Sequence, residues 1–338
     1  MLDNSSLMVV RNSADLKGSV LVVEPPADRL VVELKAQGIA ARCFTTNAAV
    51  AHNWQSLSAE PAFLGELPTE QFDSILIFHP KSKEQLPALL QQLKAVVKAD
   101  SLCFLVGDNK GGIKSLPALA EKIGVKVYKL DNAKHCLWFE LDHLAEMSGS
   151  QSGFLQFPLV SGTTELTICS KPGVFNHGKL DLGTKLLLEH LGHVQKGKVL
   201  DFGCGAGIVG AYLKKNHSAI ELVASDISTL AVESSKATLA ANQLAGTVLC
   251  ADGLPAKAGP FDHIVSNPPF HTGLKTDYQI RQLFFQSAKQ QLKTAGSLTL
   301  VANVHLPYAE QLKSLFQQVK ELGRRDGFVV YYCKKDRK

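Results

Sequence analysis

The sequence predicts an α/β protein made of two tandem copies of one fold, each built on a doubly wound parallel sheet. Three observations lead to this prediction. The length of 338 residues exceeds one usual domain and favours about two. An apolar strand, a glycine-rich turn and a helix follow one another between Lys198 and Lys214, as in a nucleotide-binding unit. Finally, Phe72–Pro80 and Ser101–Val106 have counterparts in Phe261–Pro269 and Ser297–Val301, which indicates a duplication.

The first half alternates strands and helical segments without a glycine-rich turn. Gly18–Glu24 is predicted as a buried strand, Asp28–Gln37 as an amphipathic segment and Ala40–Phe44 as a second strand. Pro25 and Pro26 stand where the second half has its glycines. Because proline has a fixed φ and no backbone donor, it cannot form a phosphate or adenosyl cradle. The first half is therefore predicted to be a degenerate copy that binds no cofactor and serves substrate binding or stability.

The connection between the two copies is predicted to contain a β-hairpin. Phe154–Val160 and Glu165–Cys169 alternate in polarity around Ser161 and Gly162, a turn signal. A predicted helix, Leu180–Leu191, then leads to the glycine-rich strand. The expected division is a degenerate domain at 1–145, a linker with the hairpin at 146–171 and a catalytic domain at 172–338.

The glycine-rich turn predicts a site for S-adenosylmethionine. Asp201 closes the apolar strand, and the missing side chains of Gly203, Gly205 and Gly207 let a ligand approach the backbone. A carboxylate at the strand end would repel the pyrophosphate of a dinucleotide, but it attracts a ligand that carries an ammonium and a sulfonium group. A glycine-rich turn alone is equally compatible with a purely structural role.

Acidic residues at the next two strand ends favour the cofactor. Asp226, with Ile227 beside it, is predicted to hold the ribose, and Asp252 to accept a hydrogen bond from the adenine amino group. Both aspartates are also compatible with helix N-caps. Asp181 and Thr184 lie near the start of a predicted helix, where they either face the methionine end of the cofactor or cap the helix.

The stretch Ser-Asn-Pro-Pro-Phe at 266–270 predicts the site of chemistry, because the preceding strand ends at the same crevice as the glycine turn. An exocyclic amine of a nucleobase is a poor nucleophile, since its lone pair is delocalised into the ring. If Asn267 and the carbonyl of Pro268 accept its two N–H bonds, they disperse the positive charge that develops during attack on a methyl group. Pro269 stiffens the loop, and Phe270 is predicted to stack on the base. The alternative is an ordinary turn with a core aromatic residue.

These motifs together resemble class I methyltransferases that modify exocyclic amino groups. Pro-Gly-Val-Phe at 172–175, Leu-Asp-Leu-Gly-Thr at 180–184 and Ser-Asn-Pro-Pro-Phe-His at 266–271 resemble the bacterial small-subunit ribosomal RNA guanine-N2 methyltransferases. The resemblance covers nearly the whole chain and implies two tandem Rossmann-like methyltransferase domains, the N-terminal one degenerate. It implies methyl transfer from S-adenosylmethionine to N2 of a guanine in 16S ribosomal RNA of the 30S subunit. It assigns the cofactor to Asp201, Gly203, Gly205, Asp226 and Asp252, and the target guanine to Asn267, Pro268, Pro269 and Phe270.

Basic residues are compatible with an RNA partner. A net charge of +5 permits nucleic-acid binding without requiring it. The loop Val106–Lys114 resembles a loop of the same family, whose Lys110 and Lys114 are expected to touch RNA. Solvated surface lysines are the alternative, and a target guanine would have to be unstacked first. The basic clusters are Lys110, Lys114, Lys122, Lys126, Lys129 and Lys134, then Arg324, Arg325, Lys334, Lys335, Arg337 and Lys338.

Composition excludes several other classes of protein. With 45% hydrophobic and 20% charged residues the chain is globular, and no apolar run approaches the length of a membrane span. The amino terminus lacks a signal peptide, and the seven cysteines have no paired spacing, so a cytoplasmic protein is expected. We also expect it to be a monomer. The eleven histidines form no metal-ligand pattern, so no metal is predicted.

Alternatives to a 16S guanine substrate stay open at this stage. Asn-Pro-Pro-Phe also serves adenine-N6 methylation, and a similar motif serves glutamine side chains of proteins. A 23S ribosomal RNA guanine is a further candidate substrate. A non-enzymatic RNA-binding assembly factor that retains an old cofactor site is a hypothesis of a different class.

Overall fold

The structure is a computed structural model that describes residues 2–148, 153–175, 177–268 and 275–336, with the side chains of 275–277 excepted. It divides the chain into two compact units, Met1–Gly153 and Phe154–Lys338. Each unit has its own seven-stranded sheet, and apolar residues pack against both faces of that sheet. None of the described helices is long and apolar enough to cross a membrane.

The sheet of the first unit consists of β1 (Val20–Val23), β2 (Ala41–Thr45), β3 (Phe63–Leu64), β4 (Phe72–Phe78), β5 (Val97–Asp108), β6 (Lys126–Ala133) and β7 (Cys136–Asp142). Their order across the sheet is β3-β2-β1-β4-β5-β7-β6. Strands β1 to β5 pair in parallel, whereas β7 is antiparallel to both of its neighbours. The helices are α1 (Asn4–Arg11), α2 (Leu30–Ala36), α3 (Ala48–Ser58), α4 (Gln85–Leu93) and α5 (Leu116–Ile123).

A β-hairpin begins the second unit. Its strands are β8 (Leu155–Ser161) and β9 (Thr164–Ser170), and Gly162 in the turn between them has a left-handed φ of 60°. The hairpin was predicted to lie in a linker at 146–171, whereas in the structure it groups with the second unit.

The second unit repeats the sheet of the first. Its strands are β10 (Gly197–Phe202), β11 (Ile220–Asp226), β12 (Thr247–Cys250), β13 (Phe261–Ser266), β14 (Leu292–Asn303), β15 (Gln318–Arg325) and β16 (Phe328–Lys334). The order is β12-β11-β10-β13-β14-β16-β15, which is that of the first sheet. The helices are α6 (Leu182–Glu189), α7 (Ile208–Asn216), α8 (Thr229–Ala241), α9 (Lys275–Gln291) and α10 (Tyr308–Leu315). The prediction of two tandem doubly wound sheets is confirmed.

Side chains of α8 and of its C-cap residue hold the hairpin on the second unit. The hydroxyl of Thr238 accepts from the N–H of Cys169 at 2.9 Å, and the side chain of Asn242 both accepts from and donates to the backbone of Thr167. Ser234, one helical turn earlier, accepts from the N–H of Lys171 at 3.0 Å. Because these polar side chains recur every four residues, they lie on one face of the helix. That face makes hydrogen bonds with backbone groups along the outer edge of β9.

The two sheets also share a detail that the sequence analysis did not use. In each unit a glycine with positive φ lies just before β1 or at the first residue of β10. An aspartate of β4 or β13 accepts from the next backbone N–H, at 2.8 Å and 2.7 Å respectively. The same aspartate pairs with a lysine at the start of the fifth strand. A side chain on either glycine would collide with that carboxylate. The members are Gly18, Asp73 and Lys98 in the first unit, and Gly197, Asp262 and Lys293 in the second.

Candidate active site

The glycine-rich turn is held against β11 by its own backbone. The N–H groups of Gly203 and Cys204 both donate to the carbonyl of Ser225, at 2.8 Å and 3.0 Å. Gly203, Gly205 and Gly207 all have left-handed φ values, of 69°, 53° and 78°. A Cβ atom on Gly205 would meet only the carbonyl oxygen of Phe175, at an ordinary contact distance of 3.6 Å. The turn therefore leaves its backbone accessible at this point.

Gly207 has a packing role that the sequence analysis did not foresee. A Cβ atom there would lie 2.6 Å from the hydroxyl oxygen of Ser235 in α8 and 2.9 Å from the Cα of the same residue. The glycine permits α7 to begin close against α8, and Gly207 is not among the described residues that line the cleft defined below. Its assignment to cofactor binding stays a prediction.

Asp201 lies under the glycine turn and is 1% exposed. One of its carboxylate oxygens accepts from the N–H of Gly210, in the first turn of α7, at 2.8 Å. Burial raises the pKa of this carboxyl group to about 7, and the nearby carboxylate of Asp226 contributes to the rise. A buried acid with this environment gains from a cation placed beside it, because the cation favours the ionised form.

Asp226 ends β11 and holds the turn on one side and α8 on the other. One carboxylate oxygen accepts from the N–H of Gly205 at 3.0 Å, and the other accepts from the N–H of Ser228 at 3.0 Å. Burial raises the pKa of Asp226 despite these hydrogen bonds. Each carboxylate oxygen has a second lone pair, so the group can still accept from a ligand hydroxyl. Asp226 is not the N-cap of α8, because that position is Ser228, so the alternative of a helix N-cap is wrong for Asp226.

Asp252 and Ile227 lie outside the turn itself. Asp252 is exposed, two residues beyond the end of β12. Ile227 is half-buried, and its carbonyl accepts from the thiol of Cys250 at a sulfur–oxygen distance of 3.6 Å. Neither is among the described residues that line the cleft. Their assignments to adenine and ribose stay predictions.

Asn267 follows β13 and reaches the start of α6. Its amide nitrogen donates to the hydroxyl oxygen of Thr184 at 2.9 Å and to a carboxylate oxygen of Asp181 at 3.2 Å. Asp181 is also the N-cap of α6, since the same oxygen accepts from the N–H of Thr184 at 2.9 Å. The capping interpretation of Asp181 is therefore confirmed. Its contact with Asn267 was not predicted, because the two residues are far apart in the sequence.

The remaining predicted catalytic residues are only partly described. Pro268 is buried directly after Asn267. Pro269 and Phe270 lie outside the described residues. The roles given to these three residues therefore stay predictions.

One cleft, here called the glycine-turn cleft, brings the two motifs together. Its lining includes the glycine turn together with Asn267 and Thr184. Phe175, from Pro-Gly-Val-Phe, also lines the cleft and is 52% exposed. The sequence analysis used this motif for the family resemblance but did not predict Phe175 as a site residue. Among the described residues no cluster of His, Cys, Asp or Glu could hold a metal ion. The lining residues are Phe175, Thr184, Asp201, Gly203, Cys204, Gly205, Ala206, Ile208, Val209 and Asn267.

The corresponding place in the first unit is filled by a side chain of that unit. Strand pairing aligns Glu24 with Gly203, and Glu24 keeps a left-handed φ of 53°. Its carboxylate accepts from the hydroxyls of Thr45 and Thr46 at 2.9 Å and 2.6 Å, and from the N–H of Thr46 at 2.9 Å. Thr45 occupies the position that Asp226 has in the second unit. The Glu24 carboxylate thus accepts hydrogen bonds from groups of its own unit, in a turn that lacks the glycines of the second unit.

Comparison with known proteins identifies the family. The family model "Methyltransferase small domain" matches residues 165–332, and "Methyltransferase small domain N-terminal" matches residues 6–153. The Ribosomal RNA small subunit methyltransferase C of Pseudoalteromonas translucida is 38% identical, over 98% of this chain and 99% of its own length. That of Acinetobacter baumannii is 36% identical, with coverage of 98% and 99%. The chain belongs to the ribosomal RNA small subunit methyltransferase C family.

A solved structure shares the fold over both units. The T. thermophilus 16S rRNA N2 G1207 methyltransferase, in complex with AdoMet and guanosine, superposes with a TM-score of 0.83. It is 22% identical and covers 98% of this chain and 92% of its own. The resemblance to the small-subunit methyltransferase C family and the fold of two Rossmann-like methyltransferase domains, both predicted from the sequence, are confirmed.

Proposed function

We propose that this protein transfers a methyl group from S-adenosylmethionine to the exocyclic N2 amino group of a guanine in 16S ribosomal RNA. The observation that carries the proposal is the position of Asn267, which lines the same cleft as the glycine turn and Asp201. Relatives along the whole chain are named as small-subunit ribosomal RNA methyltransferases. The solved structure with the same fold is described as acting on G1207 of 16S rRNA and contains AdoMet and guanosine.

The residues of the glycine-turn cleft fit a cationic cofactor. Two partly or fully buried carboxylates, Asp201 and Asp226, adjoin the glycine turn, where a Cβ atom on Gly205 would meet only the Phe175 carbonyl oxygen. Asp201 attracts the ammonium group, and Asp226 accepts from the ribose hydroxyls. When bound, S-adenosylmethionine supplies an electrophilic methyl group. Thr184, Ile227 and Asp252 are the further residues proposed from the sequence.

Asn267 and Pro268 orient the amine of the target base. The side-chain oxygen of Asn267 and the carbonyl of Pro268 accept its two N–H bonds, which frees the nitrogen lone pair from the ring and disperses the developing positive charge. No general base is needed before attack, because the proton leaves afterwards. Phe270 stacks on the guanine and holds it in line.

The RNA partner is bound in part by basic residues of the first unit. Lys110 and Lys114 are exposed, and no ion pair of either is found in the part of the chain that the structure describes. By contrast, Arg324 and Arg325 of the second unit pair with Glu321 and Glu189. Unpaired lysines gain more from a phosphate, since no carboxylate has to be displaced, so the first group is the better candidate for RNA contact.

The proposal also covers the form of the substrate, the cellular location and the oligomeric state of the protein. The substrate is 16S rRNA within the 30S subunit, which in a bacterium is assembled in the cytoplasm. We propose that the protein acts there as a monomer and without a membrane partner. Light scattering of the purified protein, alone and with 30S subunits, measures the assembly state.

Methyl transfer followed by nucleoside analysis tests the proposal. Wild-type protein and labelled S-adenosylmethionine are incubated with naked 16S rRNA, 30S subunits, 23S rRNA and DNA, and the products are analysed for N2-methylguanosine and N6-methyladenosine. We expect N2-methylguanosine in 16S rRNA only. Asn267→Ala should bind the cofactor nearly as wild type but lose about 100-fold in kcat. Label in adenine, in 23S rRNA or in none of the substrates contradicts the proposal, and binding of cofactor without any transfer favours an assembly factor.

A further inference from the structure

The side-chain amide of Asn267 has two possible orientations, and only one of them suits the proposed chemistry. An amine that attacks a methyl group needs an acceptor, so the oxygen of Asn267 must face it. If the amide were turned over, its NH2 group would oppose the N–H bonds of the base. The two orientations of an asparagine amide have nearly the same shape and differ only in their hydrogen-bond partners. Something in the protein must therefore set it.

Two side chains of α6 determine which end of the amide faces the cleft. Thr184 is 2% exposed, and its hydroxyl donates to a carboxylate oxygen of Asp181 at 3.3 Å. A hydroxyl has one hydrogen, so towards Asn267 it acts as an acceptor, at 2.9 Å from the amide nitrogen. Asp181 accepts from the same nitrogen at 3.2 Å. Both groups act as acceptors, so both favour the orientation in which the amide nitrogen of Asn267 faces them.

The geometry points to Thr184 and Asp181 as positioning residues that hold Asn267 with its oxygen towards the target amine. The three groups form one directed chain from the Asn267 amide through the Thr184 hydroxyl to the Asp181 carboxylate. Donation from the amide nitrogen towards an anion also increases the negative charge on the amide oxygen, which makes it a better acceptor. This inference rests on the proposed function. It gives Thr184 a role different from the cofactor contact expected from the sequence.

Thr184→Val is the sharpest test, because it removes the hydroxyl and keeps the shape of the side chain and the backbone N–H that Asp181 caps. We expect kcat for 16S methylation to fall about tenfold, while the Kd for S-adenosylmethionine changes by less than about twofold. Thr184→Ser keeps the hydroxyl and should restore most of kcat. Thr299→Val is the matched control, since Thr299 is fully buried in β14 and its hydroxyl contacts His193 instead. It should retain the wild-type kcat.

A double variant separates positioning from an independent role. If Thr184 acts only through Asn267, Thr184→Val with Asn267→Ala should be no slower than Asn267→Ala alone. Additive losses overturn the inference. So does a higher Kd for S-adenosylmethionine with unchanged kcat, which would return Thr184 to the cofactor, or an equal loss in Thr299→Val. Should the wild type methylate no RNA, the proposed function fails; should it methylate 16S rRNA and Thr184→Val match it, only the positioning role fails.

Discussion

Protonation of Asp201 should make the affinity for S-adenosylmethionine depend on pH. Burial raises the pKa of this carboxyl group to about 7 in the cofactor-free protein. A cation in the glycine-turn cleft favours the ionised carboxylate, so below this pKa the proton must leave when the cation binds. The affinity for S-adenosylmethionine should therefore be highest above about pH 7 and should fall as the pH is lowered through that value.

The size of the effect follows from the fraction of protein that is already ionised. With a pKa of about 7 and a bound-state pKa near the ordinary 3.8, about a tenth of the molecules carry ionised Asp201 at about pH 6, and about three quarters at about pH 7.5. The Kd should thus be roughly eightfold higher at the lower pH. Higher pH is avoided, because the α-amino group of the ligand begins to titrate at about pH 8.

Isothermal titration calorimetry at these two pH values, in buffers of different ionisation enthalpy, measures both the Kd and the proton released. Asp201→Asn is the control, since its side-chain oxygen can still accept from the N–H of Gly210 but does not titrate. Asp226 is present in both proteins, so the difference between them isolates Asp201. Equal Kd values for the wild type at both pH values, or the same pH dependence in Asp201→Asn, would refute the reasoning.

Three further perturbations test the site and its support. Asp226→Ala should raise the Kd for S-adenosylmethionine at least about tenfold and spare kcat at saturation; loss of kcat alone would contradict its role. Burial, and then the nearby His193, lower the pKa of His263. The folded state should therefore lose stability as the pH drops below about 6.5, and in thermal melts His263→Gln should reduce that loss. Gly207→Ala should cost about 1–3 kcal/mol, because it combines a φ of 78° with the Ser235 collision; Gly327→Ala, at a φ of 80° with open space, should cost less.

The duplication was predictable because the repeated segments carry the same short apolar patterns. Phe72–Pro80 and Phe261–Pro269 share apolar runs that end in a turn, and each became the central fourth strand of its sheet, β4 or β13. Element boundaries were less predictable. The periodicity of Leu86–Lys98 is that of a helix, yet α4 ends at Leu93 and β5 begins at Val97. Lys98 pairs there with Asp73, a contact that helix periodicity cannot indicate.

The degenerate character of the first unit was inferred from Pro25 and Pro26, but the structure adds a second cause. Glu24 keeps the left-handed backbone of the glycine it replaces and turns its carboxylate onto Thr45 and Thr46. A sequence shows the glutamate but not its partners. Burial raises the pKa of Glu24, and hydrogen bonds from the two threonines oppose that rise.

Local sequence alone indicated the central strands, the glycine turn and the hairpin, and which side chains end the strands at the crevice, since periodicity and turn chemistry act over a few residues. Tertiary structure decided which partner each polar group has. Asn267 and Thr184 are 83 residues apart, yet their atoms meet at 2.9 Å. A Cβ atom on Gly207 would collide with Ser235 of α8, which lies 28 residues further along the chain. A hydrogen bond or a steric contact depends on tenths of an ångström between distant segments, and that separation exists only once both have packed on the same sheet.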